Sequence, residues 1–259
     1  MLTIPLPPTP LRFMNEDDEQ LVTIGSDLAR DLYAHGLGPG QRLLDVGCGY
    51  GRLAIGLMHT DFAGDYVGFD ILPRHIKWCR EHLATEHYDF RHLDVRNDRY
   101  NRKGKVDPEQ ATFPVRSANF DACSLFSVFT HMYRANIERY LAEIHRSLKP
   151  GGWAATTWLL FDDDRLEAVT ASSARYPLVH EIDPTCRYES EEDPLKAIGY
   201  HERAVREMAG AAGLEIVEIR RGSWAGDLKV AGFQDLVVLR RPVTMRNRIG
   251  RIKRALTSR

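Results

Sequence analysis

The chain has 259 residues, of which 43% are hydrophobic and 27% are charged, and its formal net charge is −1. This composition is typical of a globular protein and excludes a collagen-like or disordered chain. No stretch approaches the roughly 20 apolar residues of a membrane-spanning helix. A near-neutral chain is also not expected to bind nucleic acid over its whole surface.

Strand and helix patterns alternate along most of the chain. Leu21, Ile24, Leu28 and Leu32 recur at helical spacing, and Gly36 predicts the end of that helix. Short apolar runs predict strands at 42–46, 66–69, 90–93, 120–126, 153–160, 215–219 and 233–239, mostly separated by helical patterns. The polar segments 96–117 and 161–199 are predicted to be irregular and to cover a site. The alternation predicts a Rossmann-like, doubly wound α/β sheet, mostly parallel, with helices on both faces.

The amino-terminal residues and the cysteines indicate the cellular compartment in which we expect the protein. The first residues lack a basic region followed by an apolar stretch, so we expect no signal peptide. Cys48, Cys79, Cys123 and Cys186 form no C-x-x-C pair, which predicts free thiols in a reducing environment. The sequence therefore predicts a cytoplasmic protein.

A glycine-rich turn follows the first predicted strand, where ligands bind in sheets of this kind. It reads Asp45-Val46-Gly47-Cys48-Gly49-Tyr50-Gly51. Glycine allows a positive φ and a close approach of the backbone to a ligand. Its G-x-G-x-G spacing differs from the G-x-G-x-x-G of dinucleotide sites. A sharp strand-to-helix turn without a ligand is the alternative interpretation.

Two carboxylates follow the next two predicted strands. Asp70 ends the second strand, where a carboxylate can accept hydrogen bonds from both hydroxyls of a ribose. A helix cap ahead of Pro73 is an alternative or additional role. Asp94 ends the third strand and is placed to accept a hydrogen bond from an exocyclic amine, with a role in the loop as the alternative.

Five segments together resemble the class I S-adenosylmethionine (SAM)-dependent methyltransferases. They are LLDVGCGYGRLA (43–54), YVGFDILP (66–73), HLDV (92–95), NFDACSLFSVFTHM (119–132) and YLAEIHRSLKPGGW (140–153). The resemblance implies a seven-stranded sheet whose last strand is antiparallel, and SAM as the cofactor. It places Asp45 and Gly47 near the methionine part of SAM, Asp70 on the ribose, Ile71 against the adenine, and Asp94 and Val95 at the adenine edge. It extends the cofactor site to Gly49, Tyr50, Gly51, Phe126 and Ser127.

His131 is the candidate catalytic base. It follows the fourth predicted strand, and an unperturbed histidine has a pKa near ~6.5, which suits a base at neutral pH. A structural histidine that fixes the loop is the alternative. The segment Ser127–Met132 is similar to one in bacterial methyltransferases that modify glycans and secondary metabolites.

The resemblance and the candidate base together predict an enzyme. The leading interpretation is a SAM-dependent O-methyltransferase acting on a hydroxyl of a saccharide or related polyhydroxylated small molecule. Methyl transfer to nitrogen or carbon of a natural product, and a SAM-binding scaffold without turnover, are the alternatives.

Further side chains are candidates for the acceptor site. Aromatic faces suit sugar rings and the sulfonium charge, which makes candidates of Tyr133, Trp158, Tyr200, His201 and Trp224. Ordinary packing is the alternative for each. Asp162, Asp163 and Asp164 follow the fifth strand and are weak candidates to bind Mg²⁺. Ser127 stands where metal-dependent relatives usually have an acid, so a solvated acidic run is the alternative.

The charge is unevenly distributed between a predicted domain, residues 1–241, and a tail, residues 242–259. The tail has six basic residues and no acid, whereas the rest has 29 basic and 36 acidic residues. Met245, Ile249, Ile252 and Leu256 fall at helical spacing, which predicts a basic amphipathic helix for peripheral contact with an anionic membrane. A disordered tail, or one docked on the acidic domain, is the alternative.

Nucleic acid is not an expected partner of the domain. The residues after the fourth strand, Phe126–Phe129, lack the Asn/Asp-Pro-Pro-aromatic signature of enzymes that methylate base amines. The sequence also lacks a helix-turn-helix or zinc-finger pattern. A small molecule is therefore the expected substrate.

Overall fold

Strands and helices alternate in the structure, a computed structural model that describes residues 4–13, 17–227, 229–230 and 232–243. The strands are β1 (Arg42–Val46), β2 (Asp65–Asp70), β3 (Tyr88–His92), β4 (Phe120–Leu125), β5 (Leu148–Trp158), β6 (Leu160–Phe161), β7 (His180–Asp183), β8 (Cys186–Tyr188), β9 (Ile198–His201), β10 (Glu215–Arg220) and β11 (Asp235–Arg240). The helices are α1 (Asp18–Ala34), α2 (Arg52–His59), α3 (Pro73–His82), α4 (Arg134–Ser147), α5 (Leu166–Thr170) and α6 (Glu202–Ala211).

Local sequence signals account for several helix ends. The Asp17 side chain accepts a hydrogen bond from the Gln20 amide at 2.8 Å, and the Gln20 side chain accepts one from the Asp17 amide. This capping box begins α1. Gly36, with a φ of +100°, follows its last turn, and Pro73 occupies the first position of α3.

The main sheet has seven strands in the order β10-β11-β5-β4-β1-β2-β3. Strands β1 to β5 pair in parallel, whereas β11 lies between β5 and β10 and runs antiparallel to both. Apolar side chains of α1, α2 and α3 pack in one buried cluster, and those of α4 and α6 pack in another. The predicted fold class, including the antiparallel last strand, is confirmed.

A second sheet is the main departure from the prediction. It has four strands in the order β6-β9-β8-β7, so that three of them lie within the segment 161–199 or at its end. The prediction that this segment is irregular is therefore wrong. β7 and β8 have only 4 and 3 residues and pair as an antiparallel hairpin. Strands this short carry too few residues to show an alternating hydrophobic pattern.

Asp235 joins the two sheets at the start of β11. Its buried carboxylate accepts hydrogen bonds from the Leu160 amide at 2.7 Å, the Gly222 amide at 2.8 Å and Nε1 of Trp224 at 2.7 Å. Arg165 lies 3.4 Å from the same carboxylate. These contacts hold β6, the main sheet and the segment before β11 together beside the site.

Candidate active site

A cavity of about 530 Å³ lies at the carboxyl ends of β1, β2 and β4. This is the edge where ligands bind in sheets of this topology. Predicted site residues that line it are Gly47, Gly49, Tyr50, Asp70, Ile71, Val95, Phe126, Ser127 and His131. The structure therefore brings together residues from four separate parts of the chain.

The glycine turn forms one wall of the cavity. Gly47 and Gly49 have φ values of +75° and +55°, in the left-handed region that favours glycine. The amides of Gly47 and Cys48 donate to the carbonyl of Phe69 at 2.8 and 3.1 Å. The turn is thereby fixed to the end of β2, next to Asp70.

Asp70 is a buried carboxylate that faces the cavity. Its Oδ2 accepts a hydrogen bond from the Gly49 amide and its Oδ1 one from the Leu72 amide, both at 2.8 Å. Burial raises the pKa of Asp70 above its ordinary value, and the two backbone amides oppose that shift. Each oxygen retains a lone pair that can accept a hydroxyl of a ligand.

Asp45 has a supporting position and is not among the residues that line the cavity. Its carboxylate accepts hydrogen bonds from the hydroxyls of Tyr66, at 2.7 Å, and Ser124, at 2.9 Å. Burial raises its pKa to about 6, although both hydroxyls lower it. Asp45 thus links β1 to β2 and β4 through these two hydrogen bonds.

Two other predicted cofactor residues do not line the cavity. The side chain of Asp94 accepts a hydrogen bond from Nδ2 of Asn101 at 3.1 Å, and its carbonyl accepts one from the Val106 amide at 2.9 Å. Asp94 therefore holds the loop after β3. Gly51, with a φ of +83°, is the N-cap of α2.

The segment after β4 forms the opposite wall. Ser127 has a φ of +57°, which is uncommon for a residue other than glycine. Its amide donates to Oγ1 of Thr157 at 2.7 Å, and its hydroxyl donates to Oε1 of Gln234 at 3.0 Å. These bonds hold a strained backbone at the place where the segment borders the cavity.

His131 lies farther along this wall and is partly buried. Its Nδ1 lies 2.8 Å from the carbonyl oxygen of Leu195. Because a carbonyl only accepts hydrogen bonds, Nδ1 carries the proton and Nε2 of the neutral ring is free to accept one. Burial is the main cause that lowers the pKa of His131, and the positive charge of Arg99 lowers it further.

The predicted aromatic wall is not where the sequence placed it. The residues that do not line the cavity are Tyr133, Trp158, Tyr200, His201 and Trp224. Trp158 is buried, and its Nε1 donates to Oγ1 of Thr156 at 2.8 Å. The Tyr200 hydroxyl donates to the carbonyl of Met132 at 2.9 Å.

The remaining members of that set also have structural contacts. Trp224 is buried and donates to Asp235, as described above. His201 is the N-cap of α6 and accepts a hydrogen bond from the Arg203 amide at 3.1 Å. Tyr133 is the N-cap residue of α4. None of the five side chains predicted for the acceptor site is thus among the residues that line this cavity.

The acidic run after β6 is engaged in hydrogen bonds and ion pairs. Asp162 accepts from the Arg165 amide at 2.9 Å and pairs with Arg221. Asp163 lies 3.4 Å from Nε2 of His201, and Asp164 is exposed. Within the described residues no group of three or more His, Cys, Asp or Glu side chains is placed to hold a metal ion. The structure therefore offers no ligand set for Mg²⁺ in that part of the chain.

Several cavity residues were not identified from the sequence. They are Phe13, Arg52, Arg96, Asn97, Arg99, Tyr100, Arg175, Tyr176, Lys196, Phe233 and Gln234. Many come from the amino-terminal arm and from the two segments expected to cover the site, 96–117 and 161–199. No local motif marks them, because the tertiary fold alone brings these loops to the cavity.

The predicted membrane contact falls largely outside the described residues, which end at Val243. Within those residues, no helix has both the length and the apolar character needed to cross a membrane.

Comparisons with known proteins agree with this geometry. Residues 44–156 match the family described as Methyltransferase domain. The chain is 29% identical to the sterol 24-C-methyltransferase of Schizosaccharomyces pombe over 51% of this chain and 31% of the relative. It is 31% identical to a phthiotriol/phenolphthiotriol dimycocerosates methyltransferase of Mycobacterium ulcerans over 46% of this chain and 37% of the relative. The matches thus span about a third of the length of these curated relatives.

Solved structures show the same fold. A SAM-dependent methyltransferase from Methanosarcina mazei is 15% identical, with a TM-score of 0.54 over 82% of this chain and 97% of that one. The family match covers the glycine turn, Asp70 and the segment after β4, which form part of the cavity lining. Over residues 44–156, a little under half of its length, the chain is thus similar to the methyltransferase-domain family, and its fold is that of SAM-dependent methyltransferases.

Proposed function

We propose that this protein is an O-methyltransferase that transfers the methyl group of SAM to a hydroxyl of a saccharide or related polyhydroxylated small molecule. One observation carries the proposal. His131 lines the cavity that Gly47 and Asp70 also line, and its Nδ1 lies 2.8 Å from the carbonyl oxygen of Leu195, a contact that leaves Nε2 of the neutral ring without a proton. A base is needed when the acceptor is a hydroxyl, since that group must lose its proton.

The cavity residues fit SAM as the cofactor. Asp70 offers buried carboxylate oxygens for the ribose hydroxyls, and Ile71 and Val95 offer apolar surface for the adenine. Gly47 and Gly49 line the part of the cavity where the methionine part would lie. The sulfonium group of SAM supplies an electrophilic methyl group.

The chain's own residues would position the acceptor and take up its proton. The acceptor oxygen forms a bond to the methyl carbon while the carbon–sulfur bond breaks, and the bonding electrons pass to sulfur. The hydroxyl proton passes to Nε2 of His131. Holding the acceptor in line with that bond provides several kcal/mol of the rate enhancement, roughly 7 to 11 in favourable intramolecular cases.

The composition of the wall supports a polyhydroxylated acceptor. Phe13, Tyr100, Tyr176 and Phe233 line the cavity and offer aromatic faces for the C–H surfaces of a sugar ring. Gln234 also lines the cavity, and its amide group offers hydrogen bonds to hydroxyls. These side chains take the place of the aromatic residues predicted from the sequence.

The cofactor part of the proposal is tested by calorimetry with SAM and S-adenosylhomocysteine. We expect Asp70→Asn to weaken binding by about 10- to 100-fold, because the amide nitrogen cannot accept the hydrogen bonds of a carboxylate oxygen. The exposed Asp89→Asn on β3 is the matched control and should bind as the wild type does. Wild-type protein that binds neither compound would refute the proposal.

The catalytic part is tested by a methyl-release assay over a panel of polyols and sugars. We expect His131→Ala to bind SAM normally and to lose about 10²- to 10⁴-fold in kcat. The exposed His87→Ala should keep full activity. Because the pKa of His131 is lowered, the wild-type rate should fall only at pH values below the ordinary histidine range, as the base becomes protonated.

Other outcomes would assign a different function. Turnover that survives in His131→Ala on an amine acceptor would indicate N-methyl transfer, which needs no such base. Methylation at carbon would also contradict the proposal. SAM binding with no turnover on any acceptor would indicate a scaffold protein.

A further inference from the structure

Basic side chains line the same cavity as the candidate base. Arg99, Arg175 and Lys196 line it, and Lys196 directly follows Leu195, whose carbonyl holds the His131 ring. Arg99 is close enough to His131 for its charge to lower the pKa of the ring. Tyr100, next to Arg99, contacts the same ring edge-on with centroids 5.5 Å apart.

Arg175 reaches this region from the second-sheet side. Its amide donates to the carbonyl of Trp224 at 2.9 Å, which fixes the backbone of the segment. The neighbouring Tyr176 ring packs edge-on against Phe233, with centroids 6.0 Å apart. Phe233 precedes Gln234, which accepts the hydrogen bond from Ser127. The backbone that carries Arg175 therefore lies beside Phe233 and Gln234, which are linked to the segment after β4.

Of these three cations, Arg99 and Lys196 form ion pairs, whereas Arg175 forms none among the described residues and can bind an anion. Arg99 pairs with Asp193, and Lys196 lies 3.0 Å from Glu189. Arg175 lies over the Tyr176 ring at 5.9 Å and has no acidic partner within 4 Å among the described residues. Asp193 and Glu189 do not line the cavity.

The cavity is lined mainly by basic side chains, although the domain as a whole has more acidic than basic residues. Among the described residues, five basic side chains line the cavity, and Asp70 is the one acidic side chain that does so. Residues 1–241 as a whole have 29 basic and 36 acidic residues. A cleft lined by one sign of charge concentrates its field and attracts ligands of the opposite sign.

We infer that the methyl acceptor carries an anionic group, a carboxylate or a phosphate, which binds Arg175 with Lys196 and Arg99 beside His131. This inference rests on the proposed function, because it assigns the anion to the molecule that is methylated. A guanidinium binds either group through two parallel hydrogen bonds. The bound anion would also offset the charge of Arg99, which otherwise opposes proton uptake by His131.

The anion site can be tested without knowing the acceptor. The probes are inorganic phosphate, followed by ³¹P line broadening, and acetate, followed by ¹H saturation transfer. Both are titrated at low ionic strength into protein saturated with S-adenosylhomocysteine, which occupies the cofactor cradle. We expect at least one anion to bind, and binding to weaken at least tenfold in Arg175→Ala and several-fold in Lys196→Ala.

Arg203→Ala is the matched control. This arginine is exposed on α6 and does not line the cavity, so its removal should leave anion binding unchanged. Binding of neither probe, or equal binding by wild type and Arg175→Ala, would overturn the inference. Preference for phosphate or for acetate distinguishes the two anionic groups.

The inference and the proposed function fail in different ways. In the methyl-release assay we expect glucuronate or glucose 6-phosphate to be preferred over glucose by at least tenfold, and Arg175→Ala to remove the preference. Equal use of glucose and both anionic sugars would overturn the anion site and leave O-methyl transfer intact. Anion binding without methyl transfer to any hydroxyl would overturn the proposed function instead.

Discussion

Asp45 shows how a single buried residue of the glycine motif acts on stability. Its pKa is raised from 3.8 to about 6, so the folded state binds a proton more tightly than the unfolded state does. Asp45 therefore contributes stability at pH values below 3.8, and this contribution is lost as the pH rises through 6. A shift of this size corresponds to about 2–3 kcal/mol.

Asp45→Asn removes this titration and tests the assignment. We expect the free energy of unfolding of the wild type, relative to Asp45→Asn, to fall by about 2–3 kcal/mol between pH 4 and pH 8. Urea denaturation of both proteins at a series of pH values measures the difference. A difference that stays constant over this range would show that Asp45 is not buried as described.

At the residue scale, local sequence motifs identified several residues that line the cavity. Gly47, Gly49 and Asp70 line the cavity because strand ends and turns fix them locally. Asp45 and Asp94 belong to the same motifs, yet their side chains contact other protein groups. Spacing locates a residue along the chain, but its side-chain partner depends on strands that lie far away in sequence.

At the scale of elements, the glycine turn must fit the segment after β4. A Cβ on Gly47 would lie 2.5 Å from Cγ2 of Val128, which lies in the segment that carries Ser127 and His131. Gly40 has a similar φ, +73° against +75°, but a Cβ there would have no neighbour within 4 Å. Comparing substitutions at the two glycines therefore distinguishes the effect of backbone strain from the effect of the contact with Val128.

Gly47→Ala and Gly40→Ala form a matched pair of variants. Gly40→Ala should lose roughly 1–2 kcal/mol of stability, because alanine disfavours the left-handed conformation, and Gly47→Ala should lose at least as much, because Val128 must also shift. We expect Gly47→Ala alone to weaken binding of S-adenosylhomocysteine more than tenfold, since Val128 must move away from the turn. Calorimetry and denaturant unfolding measure both quantities. An equal loss of affinity in Gly40→Ala would contradict this account.

The buried carboxylate of Asp235 accepts hydrogen bonds that link the second sheet to the main sheet. Asp235→Ala would leave the Leu160 amide, the Gly222 amide and Nε1 of Trp224 without their buried acceptor. Because each unpaired buried group costs about 1–3 kcal/mol, we expect a loss of at least ~3 kcal/mol. Thermal and urea unfolding measure this loss.

Asp227→Ala is the control for that experiment. Asp227 also pairs with Arg165, at 2.7 Å, but near the surface, where such pairs contribute about 0–1 kcal/mol. Equal destabilisation by the two substitutions would show that the Arg165 ion pair, and not the buried hydrogen bonds, holds the second sheet. The sequence could not predict this sheet, because β6 to β9 have only two to four residues each and show no alternating hydrophobic pattern.

At the scale of the whole molecule, the cavity draws on parts of the chain that are far apart. Phe13 comes from the amino-terminal arm, Arg175 and Tyr176 from the second-sheet segment, and Gln234 from the residue before β11. The sequence predicted that 96–117 and 161–199 cover the site, and residues of both segments line it. It did not predict which side chains, because irregular segments have no periodicity that assigns a buried face.

The difference in charge between the acidic domain and the basic tail leads to a prediction for the whole chain. The six basic residues of the tail are Arg246, Arg248, Arg251, Lys253, Arg254 and Arg259. All lie beyond Val243, so a chain ending there keeps the hydrogen bond from the Arg241 amide to Gly152. We expect the full chain to co-sediment with phosphatidylglycerol vesicles at low salt and to be released at high salt, since exposed charges are then screened.

The chain truncated after Val243 should remain in the supernatant under both conditions. Phosphatidylcholine vesicles provide the matched neutral surface and should retain neither protein. Failure of the full chain to bind the anionic vesicles at low salt would reject membrane contact. The tail would then be assigned to docking on the acidic domain, and its deletion should increase binding of that domain to a basic ion-exchange resin.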